Sequence, residues 1–166
     1  MSLLPLPTRP LLRAAALSVL TLASLAVQAQ VSVKDPWVRA TVAQQKATGA
    51  FMQITSTEPV RLVEAKSDAA KIVEIHEMRM EGDRMMMKAV PGIDLVPGQT
   101  FELKPGGFHV MLIDLARPVN AGDKVALTLV VEGRDGKRSA VEVSAEARAM
   151  NAAAAPQAAP MHQHQH

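Results

Sequence analysis

The sequence predicts an all-β domain, a single Greek-key sandwich or barrel, between Val31 and about Ala147. Short apolar runs rich in Val, Ile and Thr fill this region, and none keeps a helical apolar period. Turn residues interrupt them at regular spacing. The run Val125-Ala126-Leu127-Thr128-Leu129-Val130-Val131 alternates, so that Val125, Leu127, Leu129 and Val131 share one face and belong to the core. Regular short strands of this kind are the mark of a sandwich or barrel.

In chain order, strands are predicted over Val31 to Thr41, Gly49 to Ser56, Val60 to Ser67, Ile72 to Met80, Met85 to Val90, Thr100 to Leu103, Phe108 to Leu115, Lys124 to Glu132 and Arg138 to Ala145. Breaks fall at Ser56 to Pro59, Pro91-Gly92, Pro97-Gly98, Pro105-Gly106-Gly107, Asn120 to Asp123 and Gly133 to Gly136, where Gly, Pro, Asn and Asp supply turn geometry. The last of these returns the alternating strand into Ala140-Val141-Glu142-Val143 as a terminal hairpin. Met52 reads as adaptable core filling.

Residues 1 to 29 read as a secretory signal peptide. Arg9 and Arg13 precede an apolar stretch from Ala14 to Val27, shorter than the roughly 20 residues of a membrane span, and Val27-Gln28-Ala29 fits cleavage near Ala29. This predicts an exported, periplasmic protein with no lipid-bearing cysteine and no membrane insertion after cleavage. Two of the 18 basic residues lie in the leader, so the mature chain balances its 16 acidic ones. Near neutrality, with one Trp, three Phe and no Tyr, argues against nucleic acid as a partner. About 120 residues suffice for one packed core and not for two.

The chemistry gathers in two segments, His76-Glu77-Met78-Arg79-Met80-Glu81-Gly82-Asp83-Arg84-Met85-Met86-Met87 and His109-Val110-Met111, in a chain without cysteine. Thioether and imidazole together suit Cu(I), whereas zinc favours thiolate, imidazole and carboxylate, and calcium or magnesium favour oxygen. A thioether, unlike a thiolate, cannot be lost to a disulfide in an oxidising compartment. Gly82-Asp83 at the centre of a two-residue hairpin sets Met80 opposite Met85 and Met78 opposite Met87, with His76 diagonal to Met87. His76, Met78, Met80, Met85 and Met87 then share one face, and Met86 takes the other. His109 and Met111 share a face of their own strand. The nearby carboxylates Glu74 and Glu77 read as a solvated strand face.

The spacing His76, ten residues, Met87, twenty-one residues, His109, one residue, Met111 resembles the H(M)X10MX21HXM pattern of the PCuAC family of periplasmic copper chaperones. Trp37-Val38-Arg39-Ala40, Gly92-Ile93-Asp94-Leu95-Val96-Pro97-Gly98 and Leu103-Lys104-Pro105-Gly106-Gly107-Phe108-His109-Val110-Met111-Leu112 agree as well, and the resemblance spans roughly Val31 to Ala147. It implies a cupredoxin-like sandwich holding Cu(I) through His76, Met87, His109 and Met111, with Met78, Met80 and Met85 as auxiliary donors. It further implies delivery to an acceptor, the CuA subunit of cytochrome c oxidase, alongside Sco-type thiol proteins. Met86 departs from the family form, in which a basic residue is often found there.

After Ala147 the composition turns to Ala, Pro and Gln and ends in Met161-His162-Gln163-His164-Gln165-His166. With little to bury, residues 148 to 166 are expected to form a flexible tail. Met161, His162, His164 and His166 suit Cu(II), because imidazole is the harder donor. No nucleophile elbow, dinucleotide fingerprint or zincin helix occurs, so no enzyme is predicted. A copper redox enzyme or electron carrier is the alternative, disfavoured by the missing thiolate. A metal-free β-sandwich binding module with an apolar methionine surface is the other.

Overall fold

The computed structural model describes residues 31–149, and its secondary structure is entirely β. Ten strands follow in order: β1 (Val31–Arg39), β2 (Ala47–Ser56), β3 (Val60–Lys66), β4 (Ala70–Glu81), β5 (Arg84–Ala89), β6 (Ile93–Leu95), β7 (Thr100–Leu103), β8 (Phe108–Leu115), β9 (Lys124–Gly133) and β10 (Arg138–Arg148). They form one hydrogen-bonded ladder in the spatial order β5-β4-β8-β2-β1-β10-β9-β3-β6, with β7 also on β2. All pairs are antiparallel except β1 with β10. The ladder closes over a single core as a cupredoxin-like sandwich.

Nine of the predicted strands are present, and β6 is the one the sequence reading passes over. Three residues are too few for an alternating pattern to stand out between Pro91-Gly92 and Pro97-Gly98, yet Ile93 and Leu95 are buried and β6 caps the edge of β3. The alternation in β9 is realised, with Val125, Leu127, Leu129 and Val131 all buried, and Met52 lies in the core at 2% exposure. The core draws on every strand but β5, through residues such as Val38, Ile54, Leu62, Ile75, Leu112 and Leu127. β5 is exposed along its whole length.

Two local features set the site. Gly82 takes φ +62° at the first central position between Glu81 and Arg84, where a two-residue hairpin needs a positive φ and glycine adopts it without a Cβ clash. In β1, a bulge between Lys34 and Trp37 shifts the register so that Trp37 pairs directly with Phe51 on the sheet face opposite Val38 and Ala50. Trp37 and Phe51 therefore stack outside the main core, ring centroids 4.4 Å apart.

Candidate metal centre

The predicted hairpin has the expected register, with Met78 opposite Met87, Met80 opposite Met85 and Arg79 opposite Met86. β8 lies on the other edge of β4, with His76 opposite His109 and Glu74 opposite Met111. Alternation along β4, β5 and β8 thus sends His76, Met78, Met87, His109 and Met111 to the same face of three adjacent strands. The two imidazole centroids are 5.8 Å apart. A cavity of about 180 Å³ opens here, lined by Met78, Met87, His109 and Met111 together with Arg39, Gln45, Thr48, Gly49, Phe51, Pro105 and Gly106.

His76 is not among the residues lining this cavity and neighbours it through the ring of His109. Met80 and Met85 sit farther out on the hairpin, 57% and 51% exposed, and neither lines the cavity. Met86, on the opposite face, is 36% exposed, and Met87 46%. Met161, His162, His164 and His166 lie outside the described residues.

Each histidine has one nitrogen engaged. His76 is 8% exposed, and its Nε2 lies 2.7 Å from Glu74 Oε2. Donation from Nε2–H to that carboxylate leaves the lone pair on Nδ1, which is buried without a hydrogen-bond partner. Buried acceptors are rarely left so, and an ion would satisfy this one. His109, 4% exposed, has Nδ1 3.1 Å from the Gly107 carbonyl, so Nδ1–H donates and Nε2 keeps its lone pair. A carboxylate or carbonyl holding the far nitrogen is how metal-binding imidazoles are commonly fixed in tautomer and direction. Glu74 is therefore the partner of His76 rather than a merely solvated carboxylate, correcting the sequence expectation. Its place two residues before His76 on one strand face was the available signal.

The wall of the site was not legible in the sequence. Phe51, 4% exposed, lies with its ring centroid 6.1 Å from that of His109. A Cβ on Gly49 would fall 2.8 Å from Phe51 Cζ, so glycine there admits the ring over the β2 backbone. The Arg39 guanidinium sits 5.7 Å above the same ring, and Arg148 caps Trp37 at 5.8 Å. Arg148 is in turn paired with Asp35. Segments distant in sequence meet here through β1–β2, β2–β8 and β1–β10 pairing and carry no local motif.

Burial pushes the His109 pKa below its ordinary value of 6.5; the Gly107 carbonyl opposes this, while the charges of His76 and Arg39 add to it. The imidazole is consequently neutral and free to donate at neutral pH. The linked stability is present above the ordinary pKa and is lost as pH falls through the depressed one. In the metal-free protein, the His109 ring resonances are expected to titrate with a midpoint below 6.5 by NMR; a midpoint at or above that value would contradict this burial.

The donors are soft or borderline and uncharged. Among the described residues no group of three or more His, Cys, Asp or Glu could hold a metal, so the carboxylate-rich and thiolate sites of zinc, calcium and magnesium are not offered. Thioether and imidazole gathered on one strand face are a donor set whose chemistry suits a soft ion.

Fold and site together place the chain in a definite class, the cupredoxin-like sandwiches, with a methionine and histidine face on the three strands at one end of the sheet. The apo form of DR1885 from Deinococcus radiodurans has this fold, with TM-score 0.53 and 28% identity over 89% of this chain and 97% of that one. The PCuAC domain of PmoF2, solved with copper bound, shares the fold at TM-score 0.53 and 23% identity, over 72% of this chain and 94% of that domain. The chain belongs to the LpqE-like family, whose model matches residues 31–147. A relative in Leifsonia xyli subsp. xyli, named as a lipoprotein, is 34% identical over 114 residues, 68% of each chain.

Proposed function

We propose that the protein is a periplasmic copper chaperone, exported by its leader, that holds Cu(I) through His76, Met87, His109 and Met111 and passes it on by ligand exchange. Met78, across the ladder from Met87, is the nearest auxiliary sulfur. Met80 and Met85 extend the sulfur surface outward. The observation that carries this reading is the convergence of two singly engaged imidazoles and three thioethers on one face of β5, β4 and β8 in a chain without cysteine. Neutral donors need no deprotonation and leave the ion's charge uncompensated, so a stronger ligand can displace them one at a time. The copper-bound state described for the PmoF2 domain supports the same reading.

The acceptor proposed is the CuA subunit of cytochrome c oxidase, with Sco-type thiol proteins as co-workers. Met161, His162, His164 and His166 form a separate Cu(II)-binding segment in this proposal. The test is Cu(I) titration against a competing chelator, followed by X-ray absorption of the loaded protein with and without residues 150 to 166. One equivalent of Cu(I) bound by mixed sulfur and nitrogen, unchanged by the truncation, is expected. No stoichiometric binding would overturn the copper reading and leave a metal-free module.

A further inference from the structure

Arg39 has no part in the ligand set, yet among the described residues it is the only charged side chain lining the cavity. Its backbone is fixed, since its carbonyl accepts from Thr48 Oγ1 at 2.6 Å and its strand pairs with both β2 and β10. The guanidinium lies over Phe51, whose ring also neighbours His109. Arg61, Arg79, Arg117, Arg138 and Arg148 all have carboxylates within ion-pair distance, whereas among the described residues Arg39 shares the lack of one with Arg84 and Arg134, neither of which lines the cavity. The carboxylate near the site, Glu74, is engaged with His76 and is not among the cavity's lining residues.

A cation kept in a half-enclosed space beside a cationic cargo opposes retention of that cargo. Its presence is understandable if the cavity receives an anion. Cu(I) on neutral thioethers and imidazoles keeps its full positive charge, and Arg39 adds a second at the mouth. Together they raise the local concentration of a negatively charged soft donor and steer it to the metal. A neutral thioether arriving at the same mouth gains nothing from this field. Thiolate is the anion that is also a strong Cu(I) ligand.

Resting on the copper-carrier reading above, we propose that the Arg39 cavity is the docking position for the thiolate of a cysteine-bearing copper acceptor, and that Arg39 is the residue that favours thiolate over thioether acceptors. The step is ligand exchange. A Cu(I)–thiolate bond forms as a Cu(I)–thioether bond to Met87 or Met111 breaks, the thiol's proton passes to the buffer, and copper stays Cu(I), so no electron moves. Arg39 acts as a positioning residue, since a guanidinium has donors only and no lone pair to offer Cu(I).

The test uses the full chain loaded with Cu(I) and two model acceptors of equal length, a Cys-X-X-Cys peptide and a Met-X-X-Met peptide, with transfer followed by stopped flow. The ratio of the rate constant for the thiol peptide to that for the thioether peptide is expected to fall about tenfold in Arg39→Gln and to recover in Arg39→Lys. The thiol-peptide rate of the parent protein is expected to fall as a non-coordinating salt is raised, and more steeply than in Arg39→Gln, because screening removes the steering. A ratio unchanged in Arg39→Gln, or lowered equally in Arg39→Lys, would overturn the role of Arg39 while leaving the copper carrier intact. A parent protein that retains no Cu(I) would overturn both.

Discussion

Met87→Ala combined with His109→Ala is expected to abolish one-to-one Cu(I) retention in a chelator competition. The two residues come from different strands, β5 and β8, and reach the same cavity from opposite sides of β4. Removing outer partners of metal ligands costs about 10–100-fold in affinity, so deleting two direct donors is expected to cost about a thousandfold or more. Fold stability supplies the control. Met87 is half exposed on a strand outside the core, so its truncation alone is expected to move the unfolding midpoint little. A double variant that stays folded and still holds one equivalent of Cu(I) against the chelator would remove these residues from the site.

Phe51→Ala is the substitution with the largest expected effect on stability. The side chain is nearly fully buried and joins Trp37, His109, Gly49 and Arg39. Truncating a buried phenylalanine costs about 3–5 kcal/mol through lost burial and the cavity left behind. Neighbours at this site are themselves parts of the wall, so Cu(I) affinity is expected to weaken alongside. Phe51→Leu, which keeps most of the volume, is expected to cost less than about 1.5 kcal/mol. Denaturant unfolding of both variants is the measurement, and a loss below about 1 kcal/mol for Phe51→Ala would show that the ring is not a structural wall.

The parts of this molecule that were legible in the sequence are those written in local patterns. Alternation exposed the faces of β9, and the Gly82-Asp83 turn ordered the methionines, because the period of a strand and the length of a hairpin loop fix which side chains face each other. The pairing of β4 with β8, which sets His76 against His109, depends on long-range topology. The sequence made that meeting a condition and could not supply it. β6 was too short to show a period. Arg39, Trp37 and Phe51 depended on a bulge in β1 that re-aims Trp37, a shift that Asp35-Pro36 permits and no spacing rule specifies. Glu74 was visible as a same-face neighbour of His76, but solvated carboxylates are so common on strands that its hydrogen bond needed coordinates.

The strand β5 gives the proposed site two halves of unequal firmness. His109 and Met111 stand on β8, whose neighbours Val110 and Leu112 are completely buried, whereas Met87 stands on an arm that adds nothing to the core. Segments with few buried contacts open at much lower free energy than the body of a domain. Fraying of the arm would carry one sulfur away from the ion and leave the β8 donors in place. On the proposed reading, letting go of the cargo would take only a brief parting of one hairpin, on the timescale of loop motion, and the sandwich would not have to loosen.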